Sequence, residues 1–189
     1  LGALEGQMNA VSSQANWYHQ EENLPLVADL NKAMMVNSLA CGARIGLMQY
    51  GCGHSAFRFQ FSHTSIGPGE HHGSSHGKSP SYRSTQQAIV REAAEIARGL
   101  KNIQDPSGGN LLDDTIICLT SCMGDSDAHN GNNVPCFLLG GGNMLKKGQF
   151  INLGASDPGS HNRLLTTVAR ALGDTSVDNF GIQVNQESI

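Results

Sequence analysis

The chain has 189 residues, of which 39% are apolar and only 15% charged, and its formal net charge is −4 with histidine neutral. That length suffices for one α/β domain with a real core. The charge balance excludes the basic footprint that nucleic acid or an anionic membrane surface requires, and no run of about 18 apolar residues could form a transmembrane helix.

In chain order, residues 1–24 form a polar N-terminal arm without a clear period, with Trp17 and Tyr18 expected to anchor it. The start, Leu1-Gly2-Ala3-Leu4-Glu5, has no basic n-region, no apolar h-region and no Met, so the chain is expected to be mature, processed or incomplete there. Residues 25–189 read as one α/β domain, itself expected to be part of a larger one. Pro25 to Leu39 predicts a helix, with Leu26, Leu30, Met34 and Leu39 on one face and Pro25 in the first turn. Arg44 to Tyr50 reads as a short buried strand. Gly51 to Ser81 is a long Gly/Ser/His loop, and loops of that length are often functional. Tyr82 to Gln104 is the clearest helix, since Ile89, Ala93, Ile96 and Leu100 make one stripe. Thr115 to Leu119 and Val134 to Leu139 read as strands separated by a second loop, Thr120 to Asn133. His161 to Leu172 predicts a last amphipathic helix, stopped by Gly173. This order predicts an α/β fold with a layered, mostly parallel sheet and flanking helices.

Five cysteines are present, at 41, 52, 118, 122 and 136, and none forms a C-x-x-C pair. A zinc ribbon or thioredoxin-type site is therefore not expected. Cys118 and Cys136 sit in apolar runs and are expected to be core thiols, whereas Cys41 and Cys52 could pair if the protein is exported.

Two loops could carry chemistry, because each follows an expected strand at the edge where open α/β sheets bind ligands. The first contains Glu70-His71-His72-Gly73-Ser74-Ser75-His76-Gly77, with His54 and His63 upstream. Three imidazoles in six residues can converge on one borderline metal ion. An exposed polar loop would have the same composition. The second contains Cys122-Met123-Gly124-Asp125-Ser126-Asp127-Ala128-His129, in which Cys122, Asp125, Asp127 and His129 are possible ligands. Gly and Asp are equally at home in a plain strand-end turn.

Taken together, H-H-G-S-S-H-G, L-L-D-D-T-I-I-C-L-T-S-C-M-G-D, H-N-G-N-N-V-P-C-F-L-L-G-G-G and N-R-L-L-T-T-V-A-R-A-L-G resemble a family of exported bacterial proteins of unknown function. That family has H-H-x-x-S-H, then L-L-D-N-T running to S-E-M-G, then H-x-x-x-N-L-P. The resemblance spans residues about 20 to 182, and its members look like distant relatives of the alkaline phosphatase, sulfatase and cofactor-independent phosphoglycerate mutase superfamily. It implies an alkaline-phosphatase-like C-terminal portion in a periplasmic or extracellular protein. The superfamily's D-x-x-x-H ligand pattern falls on His72 to His76, with His72 where Asp is usual. Its D-H-G falls on Cys122-Met123-Gly124, and its A-H-T-x-x-x-V-P on Ala128-His129 to Val134-Pro135.

The expected metal ligands are thus His72, His76, His129 and Cys122, with His71, Asp125, Asp127 and Met123 as secondary candidates. The ion would be zinc or another divalent metal, with copper second because Cys122 and Met123 are soft donors. The superfamily's nucleophile comes from its N-terminal half, and this chain has no convincing equivalent. Three readings follow. One is a non-catalytic structural or binding subunit of a larger exported assembly, descended from such a hydrolase. The second is a metal-dependent phosphate or sulfate ester hydrolase completed by an absent N-terminal half. The third is a copper- or zinc-binding protein. Whether the chain is an enzyme stays open at this point.

Overall fold

A computed structural model describes residues 2–11, 20–51, 58–62, 70–106, 108–152 and 160–180. Its elements, in order, are α1 (Gly2–Val11), a 3-10 turn (Glu21–Asn23), α2 (Leu24–Ala40), α3 (His71–Ser75), α4 (Pro80–Lys101), β1 (Ile116–Thr120), β2 (Cys136–Gly140) and α5 (Ser160–Ala171). No helix among the described residues is long and apolar enough to cross a membrane.

Helix α4 starts where its sequence dictates. Ser79 is the N-cap, its hydroxyl accepting from the Tyr82 amide, and Pro80 occupies the first turn, where its missing N–H costs nothing. The helix buries Thr85, Ala88, Glu92, Ala93, Ile96, Ala97 and Leu100 along one side, a spacing of three and four residues. Helix α2 packs against that side. The approach is close at Gly99, whose missing side chain makes room for Val36. At the other end of the pair, Ala28 and Ala88 meet Phe59 and Phe61, with Leu24, Tyr50 and Ile89 packed around them. Phe61 is 1% exposed, and Tyr50 meets its ring edge-on at 5.6 Å.

One charged cluster lies inside this helix pair. Lys32 Nζ lies 2.9 Å from Asp29 Oδ1, 3.0 Å from Glu92 Oε2 and 2.7 Å from Glu95 Oε2. Tyr50 donates its hydroxyl to Glu92 Oε2 at 3.3 Å.

The expected layered, mostly parallel sheet of the alkaline-phosphatase-like kind is not what forms. The described residues contain a single two-stranded sheet, β1 against β2, and the pairing is antiparallel. The connection explains the difference. Parallel strands need a crossover, usually a helix. Here residues 121–135 are spent on a closed loop containing a bridge between Asp125 and Asn130, so the chain returns directly alongside itself. Arg44 to Tyr50, expected as a buried strand, pairs with nothing in a ladder, and its Ile45 and Leu47 are about nine-tenths exposed. Cys118 and Cys136 are not core thiols either. Cys118 is exposed and Cys136 half-buried, because a two-stranded ribbon has no second layer to cover both its faces.

The helices expected over residues 25–39, 82–104 and 161–172 form within a few residues of those bounds. Trp17, Tyr18, Cys52, His54 and His63 lie outside the described residues.

Candidate metal centre

The two histidine-bearing loops meet. His72 lies in α3 and His76 caps its C-terminal end in an extended conformation. Four residues of separation put them on one side of the turn, with their Nε2 atoms 3.4 Å apart. His129 comes from the loop between β1 and β2. Its ring centroid lies 4.9 Å from that of His76 and 6.2 Å from that of His72. One nitrogen from each of the three rings lies within 4.8 Å of the others. His72 is half-buried, whereas His76 and His129 are exposed.

These spacings can be judged against a metal. Zinc–imidazole bonds of about 2.0–2.1 Å in a tetrahedron put neighbouring nitrogens roughly 3.3–3.4 Å apart. The His72–His76 pair already has that separation. His129 would close the remaining gap by a shift of its exposed ring.

Three links hold the loops together. Ser126 Oγ donates to the Ser75 carbonyl at 3.1 Å, Lys78 Nζ pairs with Asp125 Oδ2 at 3.2 Å, and Asp127 Oδ1 lies 3.5 Å from His76 Nδ1. Ser75 is itself buried, and its hydroxyl donates to the His72 carbonyl. Asp125 shapes the second loop: its Oδ1 accepts the amides of Asp127 and Ala128. The amides of Ala128 and Asp127 and the nearby Lys78 hold its carboxyl below the ordinary carboxylate range. His129 is held at φ 50°, a left-handed conformation that costs a residue with a Cβ of order 1 kcal/mol or more. The Asp125–Asn130 bridge around it supports that conformation.

The other expected ligands have different placements. His71 points away from the cluster. Its ring meets Phe59 and Tyr82, and its Nε2 lies 3.2 Å from the Gln86 amide nitrogen. Burial, and then the neighbouring His72, lower its pKa and favour the neutral ring. Cys122 is exposed, and its sulfur is not among the converging ligand atoms. Met123 likewise follows the turn, its amide bonded to Ser121 Oγ. Asp127 takes the place of an outer partner that fixes a ligand's orientation rather than that of a ligand. The residue-type pattern gave no hint of Ser75, Ser126 and Lys78, which join the loops. Serine and lysine in polar loops carry no periodicity, so only the fold exposes them.

No protein family, no curated protein and no solved structure matches the chain.

The Asp127 contact leads to a prediction. Outer-shell carboxylates on ligating histidines are typically worth about 10–100-fold in metal affinity. Were the trio to hold zinc, Asp127→Asn would weaken its binding by about that factor, read by competition with a chromophoric chelator. An unchanged affinity would mean that the 3.5 Å contact does not orient His76.

Proposed function

We propose that this chain is a metal-binding protein whose centre is one zinc ion, or a similar borderline divalent ion, held by His72, His76 and His129. The observation that carries this reading is the convergence of three imidazoles from two loops separated in sequence and tied together by side-chain bonds. An all-nitrogen donor set favours zinc over copper(I), which would call for the sulfurs of Cys122 and Met123. Three protein ligands leave a fourth tetrahedral position for water or for a group from another molecule. The set suits one ion. A two-metal clamp on a phosphoryl or sulfuryl group needs further carboxylates arranged around a second ion, so ester hydrolysis of that kind is not the reading favoured here.

The test is elemental mass spectrometry on natively purified protein, with His129→Ala alongside. About one zinc per chain in the parent is expected, with a loss in the variant exceeding the roughly 10–100-fold drop of an outer-shell change. Because imidazole must be deprotonated to bind, the affinity should fall as the pH is lowered. A folded parent that takes up no zinc on titration would overturn the proposal.

A second reading has support of its own: the chain works as a subunit of a larger exported assembly. Ile45, Leu47 and Phe150 are each about nine-tenths exposed, and such side chains are commonly covered by a partner when they gather in a patch. Its placement outside the cytoplasm rests on the motif resemblance. A partner would co-purify with the native protein, whereas a soluble monomer in native gel filtration would count against this reading.

A further inference from the structure

Among the described residues, Cys118 and Cys136 form a second cluster of reactive side chains, separate from the histidines. In the β1–β2 register Cys118 lies opposite Leu138, and Cys136 opposite Thr120. The two cysteines are therefore diagonal neighbours on one face of the ribbon. Their sulfurs are 3.4 Å apart. A diagonal pair has its Cα atoms about 7–8 Å apart, so closing the sulfurs to the about 2.05 Å of a disulfide draws the two strands together as well as turning the side chains. Cys118 is exposed, so a small oxidant can reach it.

We propose that Cys118 and Cys136 are a thiol–disulfide exchange site, oxidised by low-molecular-weight disulfides to a cross-strand disulfide. Cys118 is the attacking sulfur. Its thiolate attacks one sulfur of the small disulfide, whose S–S bond breaks and releases one thiolate. Cys136 then gives up its proton and attacks the Cys118 sulfur. That breaks the mixed disulfide and releases the second small thiol. Two electrons pass from the protein dithiol to the small disulfide, which leaves as two thiols. The order of attack follows from exposure and from the contact itself. Either thiol can donate in the 3.4 Å contact. With Cys136 as the donor, the contact favours the Cys118 thiolate and lowers its pKa to about 7, while it raises that of Cys136. The bond would close a ring of chain containing Asp125, Ser126, Asp127 and His129, and would restrict that ring in the unfolded ensemble.

The reading is independent of the metal proposal and is tested without metal. The full chain carrying Cys41→Ser, Cys52→Ser and Cys122→Ser keeps only this pair of thiols. It would be treated with oxidised glutathione, alkylated and peptide-mapped, with circular dichroism as a fold check. The expected product lacks two hydrogens and yields one peptide joining Cys118 to Cys136, both reversed by a dithiol reductant. Alkylation of Cys118 should slow by at least ~10-fold on oxidation, since only the free thiolate reacts. Adding Cys136→Ser should trap Cys118 as a stable mixed disulfide. A folded protein that retains both thiols, or that stops at the mixed disulfide with Cys136 present, would overturn the proposal.

Discussion

Replacing Lys32 by Met is expected to destabilise the protein by about 3–5 kcal/mol, the usual cost of removing one partner from a buried ion pair. Glu92 is fully buried, in the middle of the α4 face that packs on α2. Its carboxylate has Lys32 Nζ at 3.0 Å and the Tyr50 hydroxyl at 3.3 Å. With the ammonium gone, Asp29, Glu92 and Glu95 would crowd three negative charges into a site that water reaches poorly. Domains of this size are stable by only about 5–15 kcal/mol, so the loss is a large share of the total. Urea unfolding followed by circular dichroism measures it directly. An unfolding free energy within about 1 kcal/mol of the parent's would mean that water reaches the cluster freely. Lys32→Met combined with Glu92→Leu should be less damaged than the single change, because an apolar pair of similar volume needs no counter-charge.

The same cluster sets a pH dependence. Burial alone would lower the pKa of Lys32, but its bonds to Glu95, Asp29 and Glu92 outweigh burial and raise it above the ordinary 10.5. A lysine whose folded pKa is raised stabilises the fold fully below its unfolded value. From neutral pH upward the contribution should therefore stay intact to about pH 10.4 and be lost in more alkaline solution.

The second large effect is expected at Gly124. A Cβ built there would overlap the main-chain carbonyl of Asn132 and crowd the backbone of Asn133. Backbone cannot swing aside as the end of a flexible side chain can. Gly124 also donates its amide to the Asn130 carbonyl, within the same loop that carries His129. Gly124→Ala should therefore open the loop and displace His129, so that the zinc binding proposed above would weaken by at least about 100-fold, which is 2.7 kcal/mol. Far-UV circular dichroism should change little, since the α2–α4 core is built from other residues. Gly131→Ala is the control. It lies in the same loop, but a Cβ there meets nothing within 4 Å. Equal affinity in the two variants would show that the loop yields at no cost and that its tightness does not place His129.

Particular residues show how much of this was legible beforehand. Helices α4 and α5 could be read because a 3.6-residue apolar stripe is a local property, although α4 starts at Pro80, two residues before the expected Tyr82, because Ser79 caps it. Helix α2 forms where expected, but it buries Ala28 and Lys32 rather than the Leu26, Leu30, Met34 and Leu39 face, and Met34 is 65% exposed. The first strand was legible as an apolar β-branched run and the second as an apolar run closed by glycines, but their pairing was not. Ile116 to Thr120 reads identically in a parallel and an antiparallel sheet, and what decides is the path of residues 121–135. Arg44 to Tyr50 shows the limit of composition, since Ile45 and Leu47 have strand propensity without a neighbour to pair with. At the candidate site, His72, His76 and His129 could be picked out by residue type and density. That His71 turns toward Phe59 and Tyr82 could not, because adjacent histidines look alike in a string of letters. Lys32 and Glu92 were hidden for a related reason. Each looks like an ordinary solvated helix residue until the two helices are brought together.

The links between the histidine loops also bear on when the centre can come into being. Ser126 reaches across 51 positions to Ser75, and Lys78 across 47 to Asp125. During synthesis His72 and His76 leave the ribosome well before His129 exists, and the hairpin that carries His129 is completed later still by Cys136 to Gly140. A nascent chain therefore offers an ion two imidazoles at most from this trio. The third arrives only once the hairpin has closed, so the proposed ion would be captured after translation of this region rather than during it.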